Sequence, residues 1–184
     1  MAKAPLSLPV HGVTRFVLAR PHYPENVGAA ARALKTMGFG RLVLVRPGRL
    51  AHPSHEMALK MAVKSRDVLE AAPVCDDLAE ALDGVDLAYA TTSRRGVSGV
   101  LSPREVAVSA IASAERGQEL AFVFGNEKTG LSQAELALCH ERLRVPMAAD
   151  QPSVNLAQAV QVVAYELFVA ALSARSEYKR PSHP

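Results

Sequence analysis

The chain of 184 residues is 49% apolar and 21% charged, ordinary values for one soluble globular domain with a core of useful size. Its formal charge of +3 comes with a basic balance carried mostly by arginines, which suits phosphate contacts without demanding nucleic acid. Cys75 and Cys139 lie far apart, which argues against a disulfide framework and against a zinc knuckle. The opening "MAKAPLSLPVHG" has no continuous apolar stretch and does not read as a signal peptide. The most apolar segment, "VVAYELFVAAL", is too short to span a bilayer and carries Glu166, so a cytoplasmic location and no membrane association are expected.

Along the chain, short β-branched runs alternate with helical periodicity. Strands are predicted at 15–19, 41–45, 86–92, 120–125 and 142–147, mostly as continuous apolar runs of the kind covered on both faces. Helices are predicted at 26–37, roughly 54–61, 76–83, 103–116 and 132–139, with a last one from near Ser153 to about Arg175. This alternation means an α/β fold, a mostly parallel sheet flanked by helices. Residues 1–12 read as a lead-in, 13–175 as the domain and 176–184 as a flexible tail.

The first helix opens "ENVGAAARALKTMGFG". Asn26 is placed as its N-cap, Val27, Ala30, Leu34 and Met37 as its apolar stripe, and Gly38 as its end. Gly28 and Arg32 share the other face, where bare backbone would let a large ligand lie close. The plainer reading is a solvated arginine above an alanine seam. A dinucleotide fingerprint would need three glycines at this turn and finds one. In "GNEKTGLS" the glycines have the outer spacing of a P-loop, but Leu131 stands where its lysine belongs. The "HPSH" run and the Cys139–His140 pair lack a second pair at metal-ligating spacing, so no metal is expected. In "RVPMAADQPSVNLAQAVQVVAYEL" Ser153 reads as an N-cap, without a complete capping box, and Asn155 falls in the first turn of a buried helix.

Taken together, in this order and spacing, "ENVGAAARALKTMGF", "FVFGNEKTGLSQAEL" and "VPMAADQPSVNLAQAVQVVAYEL" resemble the three motifs of the SPOUT superfamily, in its TrmH-like branch of RNA ribose 2'-O-methyltransferases. The loop "ATTSRR" matches as well, and the resemblance spans about residues 13 to 172. Within the branch the chain is most similar to the TrmJ and LasT group, whose best-known activity is on the tRNA anticodon loop. The resemblance implies a SPOUT α/β knot, with the C-terminal part of the sheet threaded into a deep trefoil, and a homodimer formed next to the cofactor. It implies S-adenosylmethionine as methyl donor, with S-adenosylhomocysteine as product, held by Thr91, Thr92 and Ser93, by Gly125, Asn126 and Glu127, by Val145 and Met147, and by Pro152, Ser153 and Val154. Gly28 and Arg32 would then serve the RNA acceptor. Arg32, Glu127, Ser153 and Asn155 would surround the ribose, with Asn26 bracing the first motif.

The expected reaction is methyl transfer to a ribose 2'-hydroxyl of RNA, with tRNA favoured over ribosomal RNA. A catalytically idle RNA-binding relative and a nucleotide enzyme with a Rossmann-like sheet are the competing readings. A guanidinium is effectively always protonated, so Arg32 is expected to clamp phosphate rather than act as a base. Ser153 and Asn155 would orient the hydroxyl or relay its proton. The third motif reads Ser-Val-Asn where Ser-Leu-Asn is usual, a conservative change. TrmJ-type proteins carry a C-terminal extension that helps hold RNA, and this chain stops soon after the last helix. Either another surface grips RNA, or the substrate differs, or the chain is shortened; Arg41, Arg46, Arg49, Arg94, Arg95 and Lys128 could supply a phosphate-binding rim, while each taken alone reads as an ordinary exposed charge.

Overall fold

The computed structural model describes residues 6–94 and 96–175. Seven strands form one sheet: β1 (Thr14–Ala19), β2 (Leu42–Val45), β3 (Val74–Cys75), β4 (Leu87–Thr91), β5 (Val100–Leu101), β6 (Leu120–Phe124) and β7 (Glu141–Leu143). The order across the sheet is β3-β2-β1-β6-β4-β7-β5, and every pairing is parallel. Among the described residues, eight helices surround it: α1 (Pro9–Val13), α2 (Pro24–Thr36), α3 (Glu56–Met61), α4 (Arg66–Glu70), α5 (Leu78–Ala81), α6 (Pro103–Glu115), α7 (Gln133–Ala137) and α8 (Leu156–Ala174).

The apolar runs conceal an alternation of size. In β1, Phe16 and Leu18 face one layer while Val17 and Ala19 face the other; in β6, Leu120, Phe122 and Phe124 alternate with Ala121 and Val123. Period two puts the large residues on one face and the small ones on the other. The large face meets the long helices α2, α6 and α8, and carries stacked rings: Tyr89 lies 4.8 Å from Phe122, and Phe16 5.7 Å from Phe122. The small face is covered by the short helices α5 and α7, through Leu78, Ala81 and Leu136.

α8 falls within the helix expected from Ser153 to Arg175, and at 19 residues it is long and apolar enough to cross a membrane by length and composition, contrary to the expectation drawn from its 11-residue apolar run. Here one face of it lies in the core. Leu156, Val160, Val163, Ala164 and Leu167 are buried, and it packs on α2 and α6. Glu166 leaves it to take a two-bond salt bridge from Arg104 of α6, at 3.0 and 3.1 Å.

Several expectations change. The lead-in begins the domain, because Leu8 and Val10 are buried and the His11 ring stands edge-on to Phe39 at 4.9 Å. α4 and the two-residue strands β3 and β5 were not anticipated; elements this short leave no periodicity to read. The strand expected at 142–147 ends at Leu143, and no helix or strand resumes before Leu156. The tail 176–184 lies outside the described residues.

Two late strands are inserted between earlier neighbours: β6 between β1 and β4, β7 between β4 and β5. The second insertion has a topological meaning. Thr92 N–H donates to the Leu143 carbonyl at 2.9 Å, and Arg144 N–H to the Leu101 carbonyl at 2.9 Å. The chain at 143–144 therefore passes between the two ends of the loop 92–101, and the Arg144 guanidinium donates to the Arg94 carbonyl within that loop. The trefoil that the resemblance implies would need the chain beyond 144 to thread this loop, a passage nearly absent from proteins.

Candidate functional site

All three motifs meet at the carboxyl ends of β4, β6 and β7, around a cleft of about 780 Å³. Parallel sheets place ligand sites at this edge, where strand order changes direction. The cleft is lined by Thr91, Thr92 and Ser93 after β4, Gly125, Asn126 and Glu127 after β6, and Val145, Met147, Pro152, Ser153 and Val154 after β7. Every residue expected to hold the cofactor is among them. Leu131, Leu136, Leu156 and Ala159 add an apolar wall that the motifs did not single out. The cleft's volume lies within the range of small-molecule sites, ~300–1,000 Å³, and its mixture of apolar wall and loop backbone suits a nucleoside.

At the cleft mouth, one hydrogen-bonded chain joins the motifs. Asn155 is the N-cap of α8, its Oδ1 accepting from Ala157 N–H at 3.0 Å and Gln158 N–H at 3.2 Å. That fixes its amide orientation, so Nδ2 donates to Asn26 Oδ1 at 3.0 Å. Asn26 Nδ2 in turn donates to Glu127 Oε1 at 2.9 Å. The Glu127 carboxylate also accepts from His22 N–H at 2.8 Å and Tyr23 N–H at 3.2 Å, at the positive end of α2. Each donor has one acceptor and each amide one possible orientation.

This arrangement corrects both cap assignments. α2 begins at Pro24, with Tyr23 as a cap that makes no side-chain bond; Asn26 sits inside the first turn and spends its side chain on Glu127 and Asn155. Pro at the first helical position starts the helix without an N–H to satisfy. Ser153 precedes the α8 cap by two residues, is exposed, and makes no hydrogen bond among the described residues.

Gly28 also has a different role from the one expected. It is buried, and a Cβ there would stand 2.8 Å from Met61 Cβ and closer still to the Ala58 carbonyl oxygen. Glycine is needed so that α3 can cross α2 at backbone contact, and no ligand fits on that face. Arg32 is exposed on α2 and outside the cleft lining, and its guanidinium has no partner among the described residues.

The second motif is braced by Arg20, which sequence reasoning passed over. Arg20 follows β1 with φ of 53° and donates to both Glu135 oxygens, at 3.0 and 2.7 Å, and to the Gly130 carbonyl at 3.0 Å. Asn126 Nδ2 returns a bond to the Arg20 carbonyl at 2.6 Å, while Asn126 Oδ1 accepts from Lys128 and Thr129 N–H. The loop folds so tightly that a Cβ on Gly125 would meet Gly130 Cα at 2.8 Å. Burial opposes charge on Glu135, but the Arg20 and Ser132 hydrogen bonds outweigh it and hold the carboxyl below its ordinary pKa. The only sequence signal was a basic residue at a strand's carboxyl end, which does not name its partner 115 residues away.

The expected phosphate rim divides. Arg41 lies at the amino end of β2, away from the cleft edge, and is committed to Glu119 at 2.8 Å and the Gly12 carbonyl at 2.7 Å. Arg46, Arg49, Arg94 and Lys128 are exposed at the carboxyl edge, and Arg95 lies outside the described residues. The metal-like clusters have ordinary partners: His52 bonds Ser54, His55 caps α3, and His140 accepts from Ala88 N–H.

Residues 14–165 match the model of the SpoU rRNA Methylase family, and the chain belongs to that family. A tRNA (cytidine/uridine/adenosine-2'-O-)-methyltransferase TrmJ from Pseudomonas aeruginosa (strain UCBPP-PA14) is 40% identical over 165 residues, covering 89% of this chain and 63% of the relative. The chain thus spans somewhat under two thirds of that relative's length. A solved chain from Bordetella pertussis Tohama I superposes with TM-score 0.84 at 40% identity, over 88% of this chain and 98% of that one. TrmJ from Z. mobilis ZM4 superposes with TM-score 0.77 at 35% identity, over 92% of this chain and 73% of that one.

Proposed function

We propose that this chain transfers the methyl group of S-adenosylmethionine to a ribose 2'-hydroxyl of tRNA, in the anticodon loop, acting as a cytoplasmic homodimer. The observation that carries the reading is the Asn155–Asn26–Glu127 chain, which locks three sequence motifs around the mouth of one cleft. The acceptor class is supported by the P. aeruginosa relative, whose name specifies tRNA and the 2'-oxygen.

The cofactor would supply a sulfonium methyl, already a good electrophile, and leave as S-adenosylhomocysteine. A ribose hydroxyl is a poor nucleophile at neutral pH, so the protein's task is alignment and help for the departing proton. Asn155, Asn26 and Glu127 have their hydrogen bonds committed to one another and to two helix N-termini. They are positioning groups. The uncommitted groups are Ser153 and Arg32. Ser153 Oγ would accept the hydroxyl proton's hydrogen bond and pass the proton to water. Arg32 would clamp an RNA phosphate, and its fixed positive charge would favour the developing alkoxide.

The test is methyl transfer from labelled S-adenosylmethionine into separate tRNA and ribosomal RNA pools, with Arg32→Ala in parallel. Label in tRNA that is resistant to base removal and lost in the variant is the expected result. Label in ribosomal RNA alone would move the acceptor to the class named in the family's description. Cofactor binding without label in either pool would make the chain an idle relative. Sedimentation of the same protein checks the homodimer.

A further inference from the structure

One aromatic ring at the cleft mouth has no part in the chemistry above. Tyr23 lines the cleft beside Asn26, Ser153 and Asn155, and is 43% exposed. An exposed tyrosine is unremarkable by itself; this one is contacted at both its backbone and its ring. Its N–H is bound by Glu127, and Pro24 follows as the first residue of α2. The His22 ring stands edge-on to it, centroids 4.7 Å apart at 89°. Lys128 places its ammonium over the ring, 5.6 Å from the centroid.

The ring therefore shares one rigid unit with the ribose-facing groups, because Glu127 joins Tyr23 N–H to Asn26 and through it to Asn155. Cations gather beside it. Gly48 N–H donates to the Pro21 carbonyl at 2.9 Å, which seats the loop bearing Arg46 and Arg49 against the His22 segment. Neither guanidinium has a partner among the described residues. Single-stranded RNA is gripped in this manner, by aromatic faces for unstacked bases and cations for phosphates.

We propose that the Tyr23 ring is the platform on which the base of the acceptor nucleotide stacks, with Lys128 moving from the ring to an adjacent phosphate. The assignment rests on reading the chain as an RNA ribose methyltransferase. His22 fixes the ring's plane, so the base is presented in one orientation relative to Ser153. Stacking engages the π-face that every base has, so the platform sets geometry and tolerates more than one base.

The experiment uses the full chain and a set of anticodon stem-loops, each with 2-aminopurine at one loop position, with melting curves confirming that every variant is folded. Wild type is expected to quench the probe at the position it methylates. Tyr23→Ala should abolish the quench and raise the KM for RNA by about tenfold or more, while cofactor affinity holds and Tyr23→Phe restores binding. Equal quenching by Tyr23→Ala, quenching only at a neighbouring position, or a parallel loss of cofactor affinity would each overturn the assignment. A wild-type protein that quenches through Tyr23 but transfers no methyl would keep the platform and remove the proposed reaction. One that binds none of the RNAs would overturn both.

Discussion

Asn155 and Asn26, 129 residues apart in the chain, meet through a single amide-to-amide hydrogen bond of 3.0 Å whose direction is set by the helix that Asn155 caps. The bond can run only one way. Asn155 must accept from the α8 backbone and must donate to Asn26, a pair of demands that asparagine meets and aspartate does not.

Asn155→Asp separates the two demands. Aspartate caps a helix N-terminus as well as asparagine does, and its charge favours that end, so stability should stay within about 0.5 kcal/mol of wild type. The donor to Asn26 is lost, and a carboxylate then faces Asn26 Oδ1. Methyl transfer should fall at least tenfold while the melting temperature holds; equal loss of both would reduce Asn155 to a cap.

Glu135→Gln tests the brace on the second motif. The folded carboxyl sits below its ordinary pKa, so its contribution is present at neutral pH and is lost as pH falls through the folded value. Because Arg20 is a third exposed, the neutral-pH difference is set at about 1 kcal/mol after discounting for solvent. Urea unfolding at pH 7 should show that gap, and the same measurement below the ordinary glutamate range should show it closing. A gap independent of pH would mean that packing, not the charge pair, holds the loop.

Gly28→Ala reverses the usual sign of its substitution. In an open helix the change stabilises by about 1 kcal/mol. Here the added methyl meets the Ala58 carbonyl and Met61 Cβ, and α3 must move away, a destabilisation of about 1–3 kcal/mol. Gly40→Ala is the control, because nothing lies within 4 Å of its Cβ position. Thermal melts should separate the two variants: a lowered melting temperature for Gly28→Ala and a nearly unchanged one for Gly40→Ala.

Arg32→Lys distinguishes a clamp from a point charge. Both residues are cationic, and the site is exposed, so stability should change by less than about 0.5 kcal/mol. A bidentate grip on phosphate needs the guanidinium fork, and turnover on RNA should drop by about tenfold or more. Full activity in the lysine variant would exclude the fork.

Much of this was legible in the residues. The parallel α/β class followed from apolar runs alternating with helical periodicity, and the eleven residues expected at the cofactor lie around one cleft. What local reading missed was decided by contacts across the chain. Asn26 and Ser153 both look like helix caps, because cap preference is a property of the residue type. Whether the side chain turns to its own helix or to another is set by packing. Gly28 looked like an open face because the sequence predicts α3 as a helix without saying that it lies across α2 at that point. Arg20 and Glu135 are ordinary charges until the sheet brings them together.

The passage of residues 143–144 between the ends of the loop 92–101 sets an order of assembly. β1, β2, β3, β4 and β6 can pair with one another as they are made, but β5 joins the sheet only through β7, and one wall of the cleft comes from the stretch that follows β7. The cleft is therefore completed late, by the stretch that leads into α8, whose Leu156, Val160, Val163, Ala164 and Leu167 close the larger face of the core. A chain cut before residue 143 would lack both that wall and the helix that closes the core on α2 and α6.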